Sequence, residues 1–221
     1  KLSPSIIIRA LRLPFAGASL MGFVFGSLIN RDNFIFWNFL LGFIAVLCTH
    51  LSANLVNDYA DSKSGADWQD RNFFGFFGGS KLIQEGVLSE SFYLGLARVF
   101  AFTAVICVLM LALSLKSARV IIYYAAILAL AWSYSRKPIA FSYHGMGEII
   151  IFLLFGPALV MGGYFLQTEI FPDLKSFILS LPFGFFTCAI LFANEIPDFS
   201  EDKSAGKFTG VNLLGQKNSF I

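Results

Sequence analysis

Two sets of side chains have the types and spacing for chemistry at a metal-bound phosphate. The first is Asn54, Asp58 and Asp61, with Asn57 and Asp67 beside them; the second is Asn194, Asp198 and Glu201, followed by Asp202. In each set the Asn is followed by acids four and seven residues on, an offset that falls on one face of a helix. Each then runs into a Lys, a Ser and a Gly, Lys63 to Gly65 and Lys203 to Gly206, where a helix gives way to a loop. Such groups at membrane depth are costly unless they line a wet cavity or hold an ion. Mg2+ takes oxygen ligands, commonly one or two carboxylates with water and phosphate oxygens. Two opposed acid-tipped helices would therefore hold metal ions with a diphosphate between them. The bland alternative is a pair of solvated helix ends, and the repetition of the spacing favours the ion or diphosphate site.

A diphosphate also calls for cations beyond its metals. Lys81 follows Gly78 and Gly79, where a backbone without side chains approaches phosphate closely. Arg136 and Lys137 sit at a junction closed by Pro138, and Lys203 and Lys207 follow the second acidic set. Anchoring of helix ends at the membrane surface accounts for many such residues, and among them Lys81 and Arg136 are the favoured ligands. His50 lies one helical turn before Asn54 on the same face, where a buried, hydrogen-bonded imidazole is the ordinary reading and a catalytic one the alternative.

The elements that must position these groups are apolar. Hydrophobic residues form 57% of the 221 residues, mean hydropathy is +0.71, and the charges cluster between apolar runs. This composition is that of a membrane protein. A net charge of +2 and the lack of a basic, aromatic-interleaved track argue against nucleic acid. The three cysteines, Cys48, Cys107 and Cys188, lie within apolar runs without metal-ligand spacing, as packing residues do. Hydropathy predicts an all-α, polytopic transmembrane bundle of six spans, at about 13–29, 34–56, 91–115, 119–133, 147–166 and 177–196. The first acidic set ends the second span and opens a long loop, 58–90, whose aromatic and glycine-rich part, 73–79, reads as interfacial. The second ends the sixth span, where Pro197 should bend the helix. With six alternating spans, only Arg31, Lys116, Arg119 and Lys175 of the 16 basic residues fall on the side opposite the N-terminus and both acidic sets. The asymmetry puts the acidic sets in the cytoplasm.

Taken in order, these motifs resemble a known family. Asn57-Asp58-x-x-Asp61 with Asp67, and the later Asp198-x-x-x-Asp202, are similar to the two Asp-rich motifs of the UbiA superfamily of intramembrane prenyltransferases. Asn54 to Asp61, Gly78 to Gly86, Tyr143-x-Gly145-x-Gly147-Glu148 and Phe155-Gly-Pro157 most resemble its 1,4-dihydroxy-2-naphthoate polyprenyltransferase branch. The resemblance implies an intramembrane enzyme in which Mg2+ and a polyprenyl diphosphate are bound by the two motifs. Ionisation then gives an allylic cation that attacks an electron-rich aromatic acceptor. For the naphthoate, loss of carbon dioxide would accompany transfer, within menaquinone biosynthesis.

Position by position, the resemblance makes Asp58, Asp61, Asp198 and Asp202 the catalytic acids and, with Asn57 and Asp67, the metal ligands. Asn54, Asn57, Lys81, Tyr134, Arg136 and Lys137 become diphosphate ligands, and the spacing of the second set adds Asn194 and Lys207 to them. It further implies nine spans for the complete fold, so residues 1–221 read as a single transmembrane domain that stops short at its C-terminus. The Arg136-Lys137 junction departs from the naphthoate branch and leaves 4-hydroxybenzoate, homogentisate or a glyceryl phosphate as other acceptors. From another class, a divalent cation transporter would use the paired acids as an ion site at mid-depth. A noncatalytic lipid-binding scaffold would bind diphosphate without turnover. Membrane lipid is the expected surrounding, a bacterial inner membrane the expected location, and oligomeric state is not legible.

Overall fold

The computed structural model describes residues 3–64, 79–135, 138–197, 199–204 and 206–220. Ten α-helices carry the described chain: α1 (Pro4–Leu11), α2 (Leu13–Leu28), α3 (Phe36–Ser64), α4 (Glu90–Ser114), α5 (Arg119–Ser135), α6 (Gly147–Leu153), α7 (Leu159–Thr168), α8 (Leu174–Glu195), α9 (Phe199–Ser204) and α10 (Gly210–Leu214). A π-helical turn, Leu154–Ala158, joins α6 to α7, and a bridge between His144 and Phe208 is the only β pairing among the described residues.

Four helical stretches are long and apolar enough to cross a membrane: Phe36–Ala60, Glu90–Ser114, Gly147–Thr168 and Leu174–Glu195. The α1–α2 pair qualifies as one further span broken by a 54° bend, and Arg119–Tyr134 is apolar but shorter. All six predicted spans thus have a helical counterpart, although length and composition alone qualify fewer of them. Large apolar side chains face outward from these helices, among them Trp37, Phe102, Leu113, Ile122, Trp132 and Leu174. In water this surface would aggregate; in a bilayer it meets acyl chains. The chain is an integral membrane protein with an all-α, polytopic fold.

Two boundaries differ from the sequence reading. The second predicted span stops near residue 56, but α3 continues to Ser64. Asn54, Asp58 and Asp61 therefore occupy the last turns of a continuous helix, as their spacing and the stop at Lys63 to Gly65 predict, and residues 58–64 do not belong to the loop that hydropathy opens at 58. After the sixth span, α8 ends at Glu195 and a turn at Ile196 and Pro197 precedes the separate α9. Proline removes a backbone donor and clashes with the preceding turn, so the second set is not one continuous helical face.

Without a hydrophobic force between helices in lipid, close backbone approach does the packing. A Cβ on Gly26 would collide with the Val160 backbone, and one on Gly163 would lie 2.5 Å from the Phe23 carbonyl oxygen. Buried Ser27 donates to the same carbonyl, at 2.9 Å. At the opposite end of α3 from the acids, Asn38 donates to the Leu166 carbonyl at 2.8 Å. Gln167 accepts from the Ile35 amide at 2.6 Å and donates to the Ile35 carbonyl. Phe23, Ala45, Cys107, Val108, Leu111 and Phe165 fill the core between α2, α3, α4 and α7. Cys48, Cys107 and Cys188 are free thiols. Gly26→Ala should overpack the α2–α7 crossing and lower stability by about 1–3 kcal/mol, read as a fall in the thermal midpoint in detergent. An unchanged midpoint would show that the two helices separate without cost.

Candidate functional site

Asp58 is the most constrained of the predicted site residues. Its side chain is 3% exposed although it sits on an apolar helix, and a carboxylate there needs donors and a counter-charge. One oxygen accepts the Ser80 amide at 3.1 Å; the other faces the Arg12 guanidinium at 3.5 Å. Arg12 reaches it because α1 and α2 meet at that residue, which adopts a left-handed conformation (φ 49°, ψ 43°). Its guanidinium also lies over the Phe15 ring. Asn54, one turn before Asp58, points its amide at the carbonyl of Leu11, 3.5 Å away, at the end of α1.

The chain following Gly79 is drawn onto this corner. Arg9 donates to the Ser80 carbonyl at 2.8 Å and pairs with Glu85. The Ser80 hydroxyl shares a 2.6 Å hydrogen bond with Tyr93, which is fully buried with Leu55, Leu82 and Ala97. Lys81 is 6% exposed and has φ 58°, a conformation costing roughly 1–2 kcal/mol for an L-residue. The turn is held against that strain by the contacts on either side of it. Farther along, Lys63 bridges to Glu90 at 2.6 Å. That hydrogen bond and charge raise the Lys63 pKa above its ordinary value.

A second polar group lies where α6, α8 and α10 converge. Glu195 is 6% exposed, with the Glu148 carboxyl, the Val211 amide and the Lys207 ammonium in electrostatic or hydrogen-bonding reach. Glu148 accepts the Gly210 amide at 2.5 Å. The bridge between His144 and Phe208 aligns these strands of chain, Gly145 donating to Phe208 at 2.9 Å. Ser142 donates to the Tyr134 carbonyl at 2.8 Å, and the Tyr134 ring packs against Gly147. Glu148, Cys188, Phe192, Ala193, Ile196 and Ser219 line an adjoining open depression.

The predicted residues are thus distributed as follows. Asn54, Asn57 and Asp58 share the end of α3, with Lys81 beside them on the Ser80 turn. Tyr134, Asn194 and Lys207 are half-buried and belong to the second half; Lys203 is exposed and lies over the Phe199 ring. Asp67, Arg136, Lys137 and Asp198 lie outside the described residues, as do the side chains of Asp61, Glu201 and Asp202 and the loop at 73–78. Asn57 and Asp58 carry side-chain oxygens of the kind a hard cation such as Mg2+ takes, but they are consecutive on α3 and both Asp58 oxygens already face partners, the Ser80 amide and Arg12. Among the described residues no three acids, imidazoles or thiols converge.

Sequence reasoning missed Arg9, Arg12, Glu195 and the site role of Glu148. Arg9 and Arg12 counted only as N-terminal positive charge. Glu195 adjoins Asn194 at the end of an apolar run, and that position was the available signal.

Residues 19–221 match the UbiA prenyltransferase family. The chain belongs to that family. It is 29% identical over 205 residues to the UbiA prenyltransferase domain-containing protein 1 of Dictyostelium discoideum, covering 88% of this chain and 59% of that protein. It is 28% identical over 186 residues to the 1,4-dihydroxy-2-naphthoate octaprenyltransferase of Mycobacterium leprae, covering 84% and 60%. The Escherichia coli protein of the same name is 28% identical over 191 residues, covering 81% and 58%. The chain therefore spans less than two thirds of the length of these curated relatives.

Removing one partner of a buried ion pair leaves the other uncompensated, at about 3–5 kcal/mol. Arg12→Ala should therefore destabilise the protein strongly. Combined with Asp58→Asn it should cost less than the two single changes together, by about 1–3 kcal/mol. Thermal unfolding of the four proteins in detergent checks this, and strict additivity would mean the pair is not coupled.

Proposed function

We propose that this protein takes part in Mg2+-dependent transfer of a polyprenyl group from its diphosphate to an aromatic acceptor, with 1,4-dihydroxy-2-naphthoate the favoured acceptor in menaquinone biosynthesis. The observation that carries this reading is the buried Asp58 corner, where Arg12 and the Ser80 amide meet an acid of the first family motif and the buried Lys81 follows on the same turn. The relatives named as naphthoate octaprenyltransferases support the acceptor.

In this reading Asn57, Asp58, Asp61 and Asp67 of the first motif and Asp198 and Asp202 of the second would hold the metal. Bound Mg2+ would neutralise the diphosphate as the leaving group departs. Arg12 fixes the Asp58 carboxylate in one orientation, and Asn54 ties the same face of α3 to the end of α1. Lys81, Arg136, Lys137 and Lys207 supply positive charge to the phosphate oxygens, with Tyr134 and Asn194 as neutral donors. The apolar spans keep water from the allylic cation that forms when the C1–O bond breaks. The new bond joins C1 to the acceptor ring, and with the naphthoate, carbon dioxide leaves. Basic residues concentrated on the side of both motifs support a cytoplasmic face for them. Asp58 and Asp61 of the first motif lie in the last turns of α3 rather than at mid-span, which favours this reading over an ion pathway.

Transfer of a labelled polyprenyl group to 1,4-dihydroxy-2-naphthoate by membranes carrying the gene product should require Mg2+ and stop with chelator. Asp198→Ala should reduce transfer by at least about a hundredfold. Product with 4-hydroxybenzoate or homogentisate instead would move the acceptor. Full transfer in chelator or by Asp198→Ala would overturn the assignment.

A further inference from the structure

His50 occupies a position that the diphosphate corner does not explain. On α3 it lies one turn below Asn54 and two below Asp58, about 6 and about 12 Å along the helix axis. Its Nδ1 is held by the hydroxyl of buried Ser19 on α2, at 2.8 Å. Its ring meets Phe155 of the π-helical turn edge to face, with centroids 6.3 Å apart and planes at 87°. The other nitrogen, Nε2, is buried and meets no hydrogen-bonding partner among the described residues. Buried polar atoms are nearly always paired, and π-helical turns recur at functional sites.

We infer that His50 binds the aromatic acceptor, its Nε2 hydrogen-bonding a ring hydroxyl while Ser19 fixes the imidazole and Phe155 supplies an apolar wall. The inference rests on the prenyl-transfer reading and names a recognition residue within it. The substrate chemistry selects the hydroxyl. A diphosphate belongs near Asp58, two turns away, and a prenyl chain has no polar atom to offer. A phenolic hydroxyl both donates and accepts, so it pairs with Nε2 in either tautomer. Its ring would then lie deeper than the diphosphate, beside the carbon that the leaving group releases.

Two amide substitutions separate this role from a structural one. The Asn amide reaches only as far as Nδ1 and preserves the Ser19 contact; the Gln amide extends to the position of Nε2. Equilibrium binding of 1,4-dihydroxy-2-naphthoate to the purified gene product should weaken about five- to tenfold in His50→Asn, the loss of one hydrogen bond. Binding should largely recover in His50→Gln. In turnover, the KM for the naphthoate should rise in parallel, with the KM for the prenyl diphosphate and the thermal midpoint unchanged. Wild-type affinity in His50→Asn, equal weakening in both variants, a parallel rise in the prenyl diphosphate KM, or no naphthoate binding by the wild type would each overturn the inference. Naphthoate binding that follows the expected pattern without any prenyl transfer would instead overturn the prenyl-transfer reading and leave the His50 assignment standing.

Discussion

An ionised carboxylate buried at the end of an apolar helix is tolerated only with a counter-charge and a donor close by, and Asp58 imposes that demand on its surroundings. Arg12 meets it from the bend between α1 and α2, and the Ser80 amide meets it from the turn that leads to α4. Satisfying one carboxylate therefore joins three parts of the chain that are far apart in sequence. Arg9 repeats the connection through the Ser80 carbonyl and Glu85. Leu51, Leu55, Leu82 and Tyr93 seal the corner beneath it. The same contacts hold Lys81 in a left-handed conformation that an isolated chain would avoid.

Below that corner the membrane sets different terms. Apolar surfaces gain nothing from one another that lipid does not already give, so helix contact relies on small residues and satisfied backbone. Gly26 and Gly163 bring α2 against α7. Gly156, within the π-helical turn, lies equally close to Gly184 and Ser180 of α8, and Pro157 follows it without continuing the regular hydrogen-bond ladder. That irregular stretch sits against α8 on one side and places Phe155 against His50 on the other. Packing and polar chemistry thus meet at the same break in the helix.

Periodicity and hydropathy made much of this legible. The spans could be read because long, mostly apolar runs have few other uses, and the face shared by His50, Asn54 and Asp58 follows from helical spacing alone. The extension of α3 to Ser64 was legible in the helical offsets of Asn54, Asp58 and Asp61 and in the stop at Lys63 to Gly65, whereas hydropathy alone ended the span near residue 56, because a polar run after an apolar span reads as loop. Only the contacts of Asp58 and the Lys63–Glu90 bridge show why the helix persists. Arg12 was hidden for a related reason. A basic residue before a first span is accounted for by membrane anchoring, and nothing local marks that its partner stands 46 positions later. The Glu148–Glu195 contact likewise needs α6 and α8 to converge, and no spacing within either helix encodes it.

The two acidic sets, alike in spacing, are unlike in construction, and Pro197 accounts for the difference. On α3 the polar face runs without interruption from His50 through Asn54 to Asp58, so its groups share one rigid register. After Glu195 the helix cannot carry its hydrogen bonds through the proline, and Ile196 uses its carbonyl to accept from Gln216. The second set begins on α8 and resumes on α9, with Lys207 and the start of α10 folded back toward Glu195 and Glu148. A rigid helical face therefore stands in one half and a jointed, loop-braced one in the other. The spacing that repeats between the two sets therefore produces one shared helical face in the first and, across the proline, two separate elements in the second.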